Sequence, residues 1–278
     1  MSTALGSIER WPGQHRAAGW LTHDGRTELA GDVDHVLPLA SVTKVLTALA
    51  VLVATEEETL ALDEPAGPPG STVRLLLCHA SGLPFDGDVP IAPPGQRRIY
   101  GNAAFEVLGQ LLSARSGLSV ADYVREAVLA PLDMASTAVP GSPAHSGRST
   151  LRDLLRLAGE LLAPGRVLAP ATLAEATRPQ LPDLAGVLPG FGRFDPNPWG
   201  LGVELHGTKA PHWMPPAASA DTFGHFGQSG AFLWVDPIAG AACAGLADAA
   251  FGPWAADAWP VLGAAVLARS AVDPADRQ

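Results

Sequence analysis

From Val45 to Ala54 every position except Thr47 is apolar. A run of that length with no polar face predicts a helix lying inside the protein, over about Val42 to Glu56. His15–Leu21 and Thr27–Ala30 flank Asp24-Gly25, a dipeptide suited to a tight hairpin turn. Thr72–His79 fits a short helix. Asn102–Ser116 carries Phe105, Leu108, Leu111 and Leu112 at helical spacing and stops at Gly117. Ser119-x-x-Asp122 and Thr150-x-x-Asp153 resemble capping boxes with Asp in place of Glu, opening helices that end near Pro131 and Pro164. Beyond Trp199 the apolar runs shorten, and Leu201–Leu205, Ala231–Val235 and Ala241–Leu246 read as strands. Trp254–Ser270 reads as a closing helix disturbed at Pro260.

Strands at both ends with helices between them predict an α/β (α+β) chain. Its antiparallel sheet would be assembled from both termini and flanked by helices, with a mainly helical lobe inserted. The expected organisation is one domain over residues 1–278, with a sheet lobe from about 1–62 and 199–278 and a helical lobe from about 63–198. Asp63–Ser71, rich in Pro and Gly, is a connector. The stretches Pro84–Arg98 and Gly207–Gly224 are long enough to wall a binding site.

Composition narrows the function. A formal charge of −10 argues against a nucleic acid or an anionic membrane as the main partner. Cys78 and Cys243 make no disulfide framework, and read as small core residues. Adjacent helical residues point about 100° apart, so Cys78-His79 is a poor nucleophile–base pair. His206, His212 and His225 share one region but not a metal-ligand spacing, so no metal and no cofactor are expected. The amino terminus has neither a basic start nor an apolar run, which leads to the expectation of a cytoplasmic protein unless a leader precedes it.

Three short motifs carry chemistry. Ser41-x-x-Lys44 opens the buried helix. Alone, Ser41 could be an N-cap and Lys44 a surface residue. Yet a capping box wants Glu or Gln at the third position, and the helix dipole disfavours a cation in the first turn. Burial and dipole both lower a lysine's pKa, and a neutral amine beside a hydroxyl can make it a nucleophile. With 15 serines and 2 lysines in the chain, chance supplies roughly 0.1 such spacings. Tyr100-x-Asn102 is rarer still at roughly 0.01, because the chain has only 2 Tyr and 2 Asn. Asn102 also stands where a helix cap belongs. His225-x-Gly227 is common by chance and gains weight only from preceding a strand, where Gly227 would let a substrate approach the backbone.

Taken in this order, the three motifs resemble those of the serine penicillin-recognising hydrolases. The chain is most similar to the branch holding class C β-lactamases, D-alanyl-D-alanine peptidases of the penicillin-binding-protein type, and family VIII esterases. Leu75-Leu-Leu-Cys-His79-Ala-Ser81-Gly-Leu83-Pro84, Pro94-Gly95, Pro131–Thr137, Trp199-Gly-Leu-Gly202 and Gly230–Pro237 extend the resemblance from about Trp20 to Ala268. It implies the β-lactamase/transpeptidase-like fold. It also implies Ser41 as acylated nucleophile, Lys44 as its base partner, and Tyr100 as general base or proton relay. Asn102 would orient Lys44 and the substrate carbonyl. Backbone N–H groups of Ser41 and Gln228 would form the oxyanion hole, and His225, Phe226, Gly227 and Gln228 the substrate-binding strip. Trp199, Trp213 and Phe223 are candidates for an acyl pocket. Two departures stand out: His225 where many β-lactamases have Lys, and Gly101 where Ser or Ala is commoner, which would enlarge the site.

The expected function is hydrolysis of a small-molecule ester or amide through an acyl-enzyme. The alternatives are a β-lactamase or D-alanyl-D-alanine carboxypeptidase and, in another class, a binding or regulatory protein with little turnover. Nothing in the sequence indicates an oligomeric state.

Overall fold

The computed structural model of the chain describes residues 4–271. Strands β1 (Arg16–Thr22) and β2 (Thr27–Gly31) form the hairpin around Asp24-Gly25. Two short strands, β3 (Leu37–Pro38) and β4 (Arg148–Ser149), pair beside the entry to helix α1 (Thr43–Glu56). Helices α2 (Val73–Leu77), α3 (Ala103–Ser116), α4 (Val120–Val124), α5 (Leu151–Leu162) and α6 (Pro170–Thr177) lie in the middle of the chain. A small hairpin of β5 (Gly186–Leu188) and β6 (Gly192–Phe194) follows, outside the main sheet. Then come β7 (Glu204–Leu205), β8 (Phe223–Gly227), β9 (Ala231–Asp236) and β10 (Ala241–Ala247), and α7 (Pro253–Ser270) closes the described chain. The six-stranded antiparallel sheet has the order β2-β1-β10-β9-β8-β7, so strands from both termini meet at its centre. The expected α/β class, with a terminally built antiparallel sheet and helices between, is borne out.

Side chains alternate between the two faces of the sheet as strand geometry requires. Trp20, Cys243 and Trp234 lie in one cross-strand row and pack in a core with Trp259 of α7. Gly19, Ala244 and Leu233 form the neighbouring row on the opposite face, against α5. A Cβ on Gly19 would lie 2.7 Å from Leu155 Cδ1, so the missing side chain is what lets α5 approach β1. Strand β10 is covered on both faces and is built from Ala, Cys, Gly and one Leu, which keeps both helices close. Cys243 is a small buried residue in that strand, and Cys78 is likewise buried and free. Helix α1 is buried from Thr43 to Ala54, as its unbroken apolar run requires.

Local signals were largely sound. Ser119 and Thr150 cap their helices by accepting from the backbone N–H of Asp122 and Asp153. After α4 the chain widens into a π turn over Arg125–Leu129. Helix α7 runs through Pro260 without a break. Two strand readings need correction. The expected Leu201–Leu205 strand is reduced to Glu204–Leu205, because Gly202 turns over α1 at φ +82°, where its Cβ would strike Ala48 Cβ at 2.1 Å. The stretch read as loop and lead-in, Gly224 to Gly227, is itself the strand β8. Its glycines are close-packing positions: a Cβ on Gly224 would sit 2.0 Å from the Leu233 carbonyl oxygen.

The long segment between β7 and β8 is tied to the sheet edge by a buried ion cluster. Glu204 Oε1 accepts from Lys209 Nζ (2.5 Å) and lies 2.7 Å from His212 Nε2, while Trp213 Nε1 donates to Oε2 (2.7 Å). Burial would raise the pKa of Glu204, but Lys209 and His212, by charge and hydrogen bonds, hold it well below the usual carboxylate range. No helix among the described residues is long and apolar enough to cross a membrane. The cluster gives a stability test. Glu204→Gln leaves the Lys209 ammonium buried without its counter-ion, and should lower the urea midpoint by the equivalent of about 3 kcal/mol with little change in slope.

Candidate active site

Ser41 sits just before α1, in a single 3₁₀ turn over Ala40–Val42. It is not the N-cap; that position is Val42, which offers no side-chain cap. The turn is held in a costly conformation. Ala40 has φ +44°, in the left-handed region disfavoured for a residue with a Cβ. Thr43 secures it by donating Oγ1 to the Ala40 carbonyl (2.5 Å) while accepting from Gly147 N (2.9 Å). From the other side comes the end of β8, where a Cβ on Gly227 would meet the Leu39 carbonyl at 2.2 Å. At its Cβ position Gly227 therefore admits the protein's own backbone, where the sequence had led to the expectation of a substrate. Strand β8 and the Ser41 turn are thereby pressed together.

Lys44 lies one helical turn on, fully buried. Its Nζ reaches Ser41 Oγ at 3.3 Å and donates to Asn102 Oδ1 at 2.8 Å and to the Ala144 carbonyl at 3.0 Å. The Asn102 amide is oriented by its other end, since Nδ2 donates to Asp86 Oδ1 (3.1 Å) and so turns Oδ1 toward the amine. Asn102 starts α3 but makes no side-chain cap bond; its polar atoms are used on Lys44 and Asp86 instead. Burial lowers the pKa of Lys44 to about 7, and the charges of Glu106 and Asp86 resist that fall. Near neutrality a large share of the amine is therefore unprotonated. A neutral amine keeps two N–H bonds, and the oxygens of Asn102 and Ala144 can only accept them. Its lone pair then faces the Ser41 hydroxyl, the one neighbour able to donate.

Tyr100 is placed by the residues on either side of it. Arg98 donates to the carbonyls of Cys78 (2.6 Å), Gln180 (2.7 Å) and Asn197 (3.2 Å), anchoring the segment. Gly101 takes the loop at Pro84-Phe85 against its own backbone, where a Cβ would lie 2.5 Å from the Pro84 carbonyl. The small residue brings that loop in; it does not enlarge the site. The Tyr100 ring packs near His79 (4.7 Å), Trp199 (5.6 Å) and His225 (5.7 Å). Removal from water pushes its phenol well above the usual value, opposed by a hydrogen bond with the Ser41 side chain and reinforced by the charge of Glu204. Tyr100 is thus a neutral phenol in contact with Ser41.

These groups border a cavity of about 220 Å³, below the ~300–1,000 Å³ of pockets for drug-sized ligands. Ser41, Tyr100, His225 and Gln228 contribute to one part of its lining, and Phe85, Leu188, Pro189 and Trp199 supply apolar wall. Phe226 also borders it, while its ring packs against Phe251 (4.8 Å) and Trp213 (5.6 Å). Of the aromatic candidates, Trp199 lines the cavity. Trp213 and Phe223 belong to the packed interior, Trp213 being bound to Glu204. Sequence reasoning missed Glu204, Leu188, Pro189 and the Ala144 carbonyl. A lone carboxylate inside an apolar run was a signal for the first, and a backbone carbonyl gives none.

A family model described as beta-lactamase matches residues 13–268. The chain belongs to the β-lactamase family. Among solved structures, a β-lactamase from Mycobacterium bovis is 46% identical over 97% of this chain and 100% of that one, with a TM-score of 0.95. Simvastatin synthase from Aspergillus terreus is 17% identical (97% and 96% covered, TM-score 0.80). A D-stereospecific amidohydrolase from Streptomyces sp. is 21% identical (94% and 96% covered, TM-score 0.71). At those identities the last two show a shared fold. No curated protein matches the chain. The β-lactamase/transpeptidase-like fold expected from the motifs is thereby borne out.

The chain's two lysines make its electrostatics directly measurable. Selective ¹³C-lysine labelling should show the Lys44 signal, assigned by substitution, titrating near pH 7. Asp86→Asn removes a charge that favours the ammonium and should move that midpoint lower; a rise would contradict this account.

Proposed function

We propose that the protein is a serine hydrolase that forms an acyl-enzyme on Ser41 and releases it to water, acting on a small ester or amide. The observation that carries this reading is the buried Lys44 amine, 3.3 Å from Ser41 Oγ and held by two acceptor-only partners. In the first step neutral Lys44 takes the Ser41 proton as Oγ attacks the substrate carbonyl carbon. The resulting oxyanion would rest on the backbone N–H groups of Ser41 and Gln228, each such donor being worth ~3 kcal/mol of barrier. The departing alcohol or amine then takes the proton of Tyr100, a neutral phenol touching Ser41, as the Lys44 ammonium returns one to that phenol, so that both side chains end as they began. Water attacks the acyl-enzyme in the second step, with Lys44 again neutral and serving as base. The raised phenol pKa favours Lys44 over Tyr100 as the base and leaves Tyr100 the relay.

A second reading, β-lactam hydrolysis, is favoured by the name borne by the Mycobacterium bovis relative. Nitrocefin turnover exceeding that of simple p-nitrophenyl esters would bring it to the front. Absence of turnover on every ester, amide and β-lactam tried would favour a binding role.

A fluorophosphonate probe should label the wild type and leave Ser41→Ala unlabelled. Because the base must be unprotonated, the labelling rate should rise with pH through about 7 and level off above it. Lys44→Met should lose ~10²–10⁴ of that rate. Equal labelling of Ser41→Ala, or a rate flat across pH 5–9, would overturn the proposal.

A further inference from the structure

His225 lines the cavity from β8, and its ring has a fixed polarity. Nδ1 lies 2.7 Å from the Phe226 carbonyl oxygen. A carbonyl can only accept, so Nδ1 carries the proton and Nε2 keeps a bare lone pair. That Nε2 is buried and has no hydrogen-bond partner in the protein. Burial and the neighbouring Lys44 hold His225 down to about pKa 3, so the ring stays uncharged in neutral solution. Where a lysine at this position would offer a cation and a donor, His225 offers an acceptor.

Among the described residues, the rest of the cavity lining supplies no free cation. Glu204, the carboxylate of the buried ion cluster, also borders it. Among the described residues no Arg or Lys side chain is part of its lining. Lys44, behind Ser41, already has its three positions taken. Phe85, Leu188, Pro189 and Trp199 present apolar surface. A substrate carboxylate entering here would meet a lone pair and no free cation, since the Lys209 ammonium is already paired with Glu204. An uncharged group ending in N–H or O–H would satisfy that buried acceptor; Trp199 Nε1, the other buried nitrogen of the lining without a partner, is a donor and cannot serve such a group.

We infer that the cavity beside Ser41 selects an uncharged acyl group that donates a hydrogen bond to His225 Nε2, and rejects acyl groups bearing a carboxylate. This rests on the hydrolase reading above and adds the substrate class to it.

Three p-nitrophenyl esters of one chain length test it: those of adipamic acid (terminal CONH₂), of monomethyl adipate (neutral, acceptor only) and of adipic acid (carboxylate). For the wild type, kcat/KM should be about tenfold higher for the amide than for the methyl ester, as expected when a buried acceptor gains a donor. The carboxylate should fall at least on the order of a hundredfold below the amide. In His225→Phe the ratio of amide to methyl ester should collapse toward one. Independently of any variant, ¹⁵N spectra of the wild type should show His225 as the Nδ1–H tautomer. An amide no better than the methyl ester, or a carboxylate turned over as well as either, with Ser41 still labelled by the fluorophosphonate, overturns this inference and leaves the hydrolase reading standing. No turnover and no labelling of Ser41 means the hydrolase reading has failed, and the inference falls with it.

Discussion

A lysine with no access to water and three hydrogen-bonding neighbours is the constraint on which this site is built. Two of those neighbours, Asn102 Oδ1 and the Ala144 carbonyl, can only accept. Burying an ammonium costs several kcal/mol even after the protein relaxes, and here no carboxylate is bonded to Nζ to offset it. The remedy is loss of the proton, and the lone pair that appears points toward Ser41. The charges of Glu106 and Asp86 oppose that fall in the basicity of the amine. In the proposed mechanism this one desolvated group sets both the reactivity of Ser41 and the pH range in which it would operate.

Much of the surrounding fold serves to keep that amine and that hydroxyl in place. The turn at Ala40 is strained, and it persists because Thr43, Gly147 and the end of β8 brace it from three directions. Missing side chains do as much as present ones: Gly227 brings a strand against the Ser41 turn, and Gly101 brings a loop against the backbone beside Tyr100. The Glu204–Lys209–His212 cluster secures the long segment after β7, and its carboxylate, already paired with Lys209, borders the cavity.

Sequence patterning carried this fold a long way, for definite reasons. Helix α1 was plain because a run of apolar residues that long has no other home, and β9 and β10 because short apolar runs ended in turn residues. The Ser41–Lys44 and Tyr100–Asn102 pairs stood out because lysine, tyrosine and asparagine are so scarce in this chain. Strand β8 escaped because Gly224 and Gly227 look like punctuation until the backbones packed against them are seen. Asn102 read as a helix cap because capping is what an isolated asparagine at a helix start does; only the tertiary placement of Lys44 and Asp86 redirects its amide. The tautomer of His225 depends on one backbone carbonyl, which no side-chain pattern encodes.

The most direct test of the account alters the basicity of the amine while leaving its geometry alone. Thialysine, an isostere whose sulfur makes the amine less basic, can replace lysine throughout, at Lys44 and Lys209 alike. If the unprotonated amine of residue 44 removes the Ser41 proton, the pH midpoint for acylation of Ser41 moves down by as much as the analogue's basicity falls. A midpoint that stays where lysine puts it would mean that another group activates the serine.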